Sequence, residues 1–237
     1  FTFFRWIGVI MGYPFQALFF KRRIFFEGEK NRKWKKGGKL IISNHYCVLD
    51  YGLTLEGIDE SNVAIAGHSR LGKTALYTGM HDTRFKFVYT NAAGCAGDAI
   101  AHGGSGLDKE KKNRGETISN IVTVFPFWFC KNYQKYAKTD MSDIFDQHFI
   151  VASIAPRYVM IGSCDLDAWA DPESQQLCAL AASEAWERDG LCGLEECDDY
   201  LETNSGLING HVGYFKINSH HLISHQYQNN HNCYLKY

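Results

Sequence analysis

The sequence predicts an α/β fold: a mostly parallel sheet with helices packed against it in three layers. Two observations carry this. Short apolar runs (KLII, NVAIA, FKFVYT, YVMIG, VGYFKI) alternate with segments whose apolar residues recur at helical spacing. The stretch IDESNVAIAGHSRLGKTALYTGM reads as turn, strand (Val63 to Ala66), sharp turn and helix (Leu71 to Met80).

The elements follow in order. FTFFRWIGVIMGYPFQALFF is apolar, and KRR at 21 to 23 closes it. Its apolar runs are too short for a spanning helix, and no small-residue cleavage site follows. Residues 1–26 read equally as a helix in peripheral contact with a membrane or as a core helix. KLIISNH is a short buried strand. RFKFVYTNAAG is a strand ending in a small-residue loop. Residues 102–116 form a Gly- and charge-rich loop. FPFWFCKNYQKYA is expected to be a helix on the sheet, and DIFDQHFIVASIAP a helix stopped by Pro156. RYVMIGSCDLDAWADP gives a strand and a carboxylate-rich loop. SQQLCALAASEAWERDG is helical, with Gly190 as its stop. INGHVGYFKINSHHLISHQYQ gives a last strand, a histidine-bearing loop and a short helix.

The 237 residues are enough for one large domain or two small ones. A hydrophobic fraction of 45% can build a sizeable core. A formal net charge of -1 gives no ground for a nucleic-acid partner, and no RNA-binding or zinc-finger pattern occurs. None of the eight cysteines forms a C-x-x-C pair, so no zinc pattern is present. Most sit among apolar residues and read as small core side chains. The redox compartment and the localisation stay open. The chain begins with Phe and reads as a fragment.

The loop at 66 to 76, AGHSRLGKTAL, supports two chemistries. Gly67 to Thr74 fits the phosphate-cradling pattern G-x-x-x-x-G-K-S/T, with Asp165 or Asp167 as the magnesium carboxylate. The same letters place Ser69 at a nucleophile elbow, although Leu71 breaks G-x-S-x-G. The second reading needs an acid and a histidine on later loops. Asp167 follows YVMIGS, and His220 or His221 follows VGYFKI. A serine hydroxyl is a weak nucleophile at neutral pH. It needs an imidazole to take its proton and a carboxylate to orient the imidazole. Ser69 as a plain cap, Asp165 or Asp171 as loop carboxylates, and Trp128 and Trp169 as core residues are the alternatives.

GHSRLGKTAL, NAAGCAGDAI, RGET, FPFWFC, DQHFIVASIAPR and DAWADPES resemble, in order and spacing, the glucuronoyl methylesterase family of carbohydrate esterases, from about residue 55 to the end. The resemblance implies an α/β-hydrolase domain lacking its early strands. It implies hydrolysis of glucuronic-acid esters, as in lignin–xylan linkages, with a glucuronoxylan-type substrate and no cofactor or metal. It implies Ser69 as nucleophile, Arg70 as oxyanion stabiliser, and Lys73, Glu116 and Trp169 as sugar contacts. Many members carry their acid where this chain has Ala92. Others use an aspartate in D-x-W, which Asp167 matches. His221 occupies the histidine position of the family pattern, with His220 one residue early and His225 a turn later.

Residues 1–54 carry a different resemblance. SNHYCVLDY is similar to the H-x4-D block of glycerolipid acyltransferases, which implies His45 as base and Asp50 as its orienting partner. The later blocks of that family are missing. The chain therefore looks like two partial genes joined near residues 50 to 55, an acyltransferase-like piece at 1–54 and an esterase-like domain at 55–237. An elbow strand without neighbours is the physical concern. An acyltransferase fragment and an inactive truncated chimera are the alternative functions.

Overall fold

Six strands form one sheet: β1 Lys39–Ile42, β2 Val63–His68, β3 Phe85–Asn91, β4 Tyr158–Cys164, β5 Ser205–Leu207 and β6 Val212–Ile217. Their order is β1-β2-β3-β4-β6-β5. Every pairing is parallel except β5 with β6. The computed structural model describes residues 39–42, 59–101, 115–138, 145–195, 197 and 199–221. All of these fall in one compact unit, Gly38–Tyr237. His45, Asp50, His225 and the apolar segment at 1–26 lie outside the described residues. No helix among the described residues is long and apolar enough to cross a membrane.

Strands β2 (VAIAGH) and β4 (YVMIGSC) are nearly continuous buried runs because both of their faces are covered. In β4, Val159 and Ile161 join the main core, while the alternate residues Met160 and Cys164 join a second cluster with Phe215 and Ile217 of β6. Helix α1, Arg70–His81, buries Gly72, Ala75, Leu76 and Gly79 against β2 and β3. Helix α2 spans Ile118–Val124 and starts in a capping box between Thr117 and Asn120. The short α3 is His148–Ala152. Helix α4, Pro172–Ala182, packs on β4 and β6 and sets Cys178 and Ala179 into the main core. Helix α5 is Glu184–Glu187, and its Trp186 is fully buried.

Several expectations change. β2 has a strand on each side, β1 and β3, so the elbow strand does not lack neighbours. The segment after Phe125 is not one helix on the sheet. It forms two 3-10 turns, Pro126–Trp128 and Tyr133–Lys138, that pack with α2. Local aromatic stacking favours these tight turns: Phe125 lies 3.9 Å from Trp128, and Phe129 lies 4.8 Å from Tyr133. The helix expected to run to Gly190 breaks at Ser183. There the hydroxyl donates back to Ala179 O at 2.9 Å and accepts from Leu194 N at 2.8 Å. Of the described cysteines, Cys95, Cys164 and Cys178 are buried, whereas Cys130, Cys192 and Cys197 are exposed. The antiparallel β5 is three residues long and carries no sequence signal of its own.

Candidate functional site

The elbow forms where β2 turns into α1. Ser69 has φ 57 and ψ -128, a conformation that costs a non-glycine residue about 1–3 kcal/mol. Its hydroxyl makes no capping bond, so it is not an ordinary cap. The flanking glycines serve close packing. A Cβ on Gly67 would sit 2.0 Å from Leu71 O, and one on Gly72 would sit 2.6 Å from Thr90 Oγ1. The first turn of α1 therefore lies directly on the strands, with Ser69 at its tip.

Lys73, one turn into α1, does not reach outward as a phosphate ligand would. Its ammonium donates to the backbone carbonyls of Ala93 and Cys95, the latter at 2.5 Å. Burial holds it below the usual lysine range, against the opposing pull of Glu116. The same loop is held from beneath by Asp98, which is fully buried. Asp98 accepts from Gly94 N at 2.7 Å, Thr90 Oγ1 at 2.9 Å and Gln175 Nε2 at 2.7 Å. Burial raises its pKa. The Lys73 amine on the carbonyls and the Asp98 carboxyl on the amides thus pin the loop after β3. Burial in that loop also pushes the Cys95 thiol up to about 12, so it stays a neutral core group. At its start Ala92 is buried, with φ 46 and its N–H on Gly162 O at 2.8 Å.

The loops after β4 and β6 meet across the strand ends. Asp165 N donates to Ile217 O at 2.8 Å, and Leu166 N donates to Ser219 O at 3.1 Å. These bonds carry Asp167 to the histidine loop, where its Oδ2 lies 2.5 Å from His221 Nδ1. Asp167 is 7% exposed and also accepts from Ala170 N at 3.3 Å. The neighbouring carboxylates are used elsewhere. Asp165 pairs with Lys216 at 3.7 Å, and Asp171 caps α4 through Ser174. His220 is exposed and His221 holds the bond to Asp167.

Two further segments close on this edge. Glu116 N donates to Trp169 O at 2.8 Å, and Trp169 Nε1 donates back to Glu116 Oε1 at 2.8 Å. Desolvation raises the Glu116 pKa, partly offset by Lys73. Arg70 places its guanidinium 5.6 Å from the centre of the Trp128 ring. Beside it opens a cavity of about 400 Å³ lined by Arg70, Leu71, Lys73, Tyr77, Trp128 and Phe129. Trp169 is 53% exposed and is not a core residue, whereas Trp128 is half-buried and packs against the cluster of Cys95, Ile118, Ile121 and Val122 while lining the cavity. Among the described residues no cluster of His, Cys, Asp and Glu could hold a metal ion.

The sequence reading missed His68. It bonds Asn91 Oδ1 through Nδ1 at 2.8 Å, and its ring centre lies 4.6 Å from that of His221. Its place directly before Ser69 was the available signal. It also missed the role of Asp98, although that residue lies within NAAGCAGDAI, and Gln175, which no motif marks.

Known proteins of similar sequence and fold point to one family. A family model described as glucuronyl esterase, fungi, matches residues 47–190. A carbohydrate esterase, MZ0003, from an unknown prokaryotic organism is 38% identical over 168 residues, covering 71% of this chain and 36% of that protein. The 4-O-methyl-glucuronoyl methylesterase of Hypocrea jecorina is 28% identical over 163 residues, covering 69% of this chain and 31% of that one. The structure of a promiscuous CE15 esterase from a marine bacterial metagenome superposes with a TM-score of 0.69 at 35% identity, covering 78% of this chain and 44% of that one. The chain thus spans about a third of the length of these two curated relatives. The described fold is that of part of an α/β hydrolase. With the family model matching more than half of its residues, this chain belongs to the glucuronyl esterase family.

Proposed function

We propose that the chain is a serine carboxylic-ester hydrolase acting on esters of glucuronic acid, of the 4-O-methyl-glucuronoyl methylesterase type. The observation that carries this reading is the 2.5 Å contact of Asp167 with His221 at the sheet edge where Ser69 sits in a strained elbow. In this reading His221 takes the Ser69 hydroxyl proton as Oγ attacks the ester carbonyl. Asp167 holds Nδ1, fixes the tautomer and steadies the imidazolium. Negative charge developing on the carbonyl oxygen meets the Arg70 guanidinium and the N-terminal end of α1. His221 returns the proton to the departing alcohol. Water then repeats the sequence on the acyl-enzyme and releases the free uronic acid. Glu116 and Trp169 face the sugar, a carboxylate for hydroxyls and an indole as a wall; Lys73, with two of its three N–H donors on Ala93 O and Cys95 O, keeps one for a sugar hydroxyl.

The substrate partner is a glucuronic-acid ester on glucuronoxylan, and no step calls for a cofactor. The phosphate-loop reading has less support. Its lysine is occupied by Ala93 O and Cys95 O, and its glycines are filled by helix packing. Hydrolysis of methyl glucuronate by the full chain tests the reading. Activity is expected for the wild type and should fall to background in Ser69→Ala. Hydrolysis that survives Ser69→Ala overturns the mechanism.

A further inference from the structure

His221 is poorly held for a general base. Its side chain is 45% exposed, and among the described residues its hydrogen bond is the single one to Asp167. That bond restrains rotation about Cβ–Cγ from one side of the ring and leaves the opposite, solvent-open side without a hydrogen bond among the described residues. The second nitrogen, which must point at Ser69, has no hydrogen bond of its own among the described residues.

We infer that His68 is a positioning residue for this base: its ring, seated beside His221 at the end of β2, sets the plane in which the imidazole faces Ser69. The inference rests on the proposed triad. Three observations support it. The two ring centres are 4.6 Å apart, with 46° between their planes. The His68 ring is itself fixed, because Nδ1 donates to Asn91 Oδ1 at 2.8 Å, and Asn91 is its cross-strand partner in the β2–β3 register. His68 also precedes Ser69 directly, so one backbone unit carries the nucleophile and the support of its base.

The support suits the chemistry in a second way. Burial lowers the His68 pKa, and His221 opposes a charge there too, while Asn91 and Asp167 favour one. A neutral ring leaves the imidazolium that forms on His221 without a cation against it.

The test compares two kinds of variant in the full chain. His68→Phe keeps a ring and loses the bond to Asn91. His68→Gln keeps a polar group for Asn91 and loses the ring. The readouts are kcat and KM for methyl glucuronate, and the rate of inactivation by a fluorophosphonate, each across pH. The fluorophosphonate needs an activated serine and no sugar recognition.

His68→Gln is expected to lose roughly tenfold in both kcat and inactivation rate, with KM within about twofold and a shifted acid limb. His68→Phe is expected to stay within about threefold of wild type. Equal rates and equal pH profiles for His68→Gln and wild type overturn the inference, as does a loss in His68→Phe as large as that in His68→Gln. His68→Leu is a second ringless variant if glutamine does not fold. If neither ringless variant folds, the role is structural and the inference falls. A wild type that reacts with the phosphonate but leaves methyl glucuronate intact defeats the substrate reading alone. A wild type that reacts with neither defeats the triad and this inference together.

Discussion

Trp169 and Glu116, 53 positions apart in the chain, hold each other in place: the indole N–H donates to the carboxylate at 2.8 Å. A backbone bond from Glu116 N to Trp169 O closes the same pair. The wall and the carboxylate of the proposed sugar site are therefore one unit. Trp169→Phe loses the anchor and Glu116→Gln loses the charge. Each is expected to raise KM for methyl glucuronate by roughly tenfold, with kcat within about threefold, since a hydrogen bond to a charged group contributes about 1.5–3 kcal/mol. Steady-state kinetics on both variants check this. An unchanged KM in both removes the pair from the sugar site.

Asp167 is buried and meets His221 through a single oxygen. Asp167→Asn places an amide there, which favours the wrong tautomer of the ring. The expected loss in kcat is about three orders of magnitude at near-wild-type stability. A loss of less than tenfold would assign the orienting role to another carboxylate.

The backbone of Ser69 stores strain that glycine would not feel. Ser69→Gly is expected to abolish ester hydrolysis while raising the unfolding free energy by about 1 kcal/mol. Ser69→Ala also abolishes it and keeps the strain. Urea unfolding of the two variants side by side reads the difference.

Asp98 holds the loop after β3 through three strong acceptances, from Gly94 N, Thr90 Oγ1 and Gln175 Nε2. Asp98→Ala leaves those buried donors unpaired and is expected to cost about 2–4 kcal/mol. Its pH dependence has a definite sign. Burial raises the folded pKa above the unfolded value of about 3.9. The folded state then binds more protons in the window between the two values. The contribution of Asp98 to stability is full below pH ~3.9 and declines as pH rises through the folded pKa. Wild type should therefore lose ground relative to Asp98→Asn as pH rises from about 4. Denaturant midpoints measured at several pH values for both proteins decide it, and a constant difference rejects the account.

Much of this protein is legible along the chain. NVAIAGHSRLGKTAL encodes strand, tight turn and helix, because apolar runs and small residues at fixed offsets are local signals. The order Ser69, Asp167, His221 could be set down because each follows an apolar run that becomes a parallel strand. What sequence could not separate was chosen in three dimensions. Gly67 and Gly72 suit a phosphate loop as well as an elbow. The contact of α1 with β3, and the turning of Lys73 onto Ala93 O and Cys95 O, favour the proposed elbow. Asp165, Asp167 and Asp171 are equivalent as letters. Bonds between the ends of β4 and β6 bring Asp167 to His221 and leave Asp171 to cap a helix. The stacked 3-10 turns, the break at Ser183 and the ring of His68 against His221 depend on partners distant in the chain or on competing local bonds. Periodicity reports which face of an element is buried. It carries no information on which residue of another element will meet it, and the meeting of residues is what assembles this site.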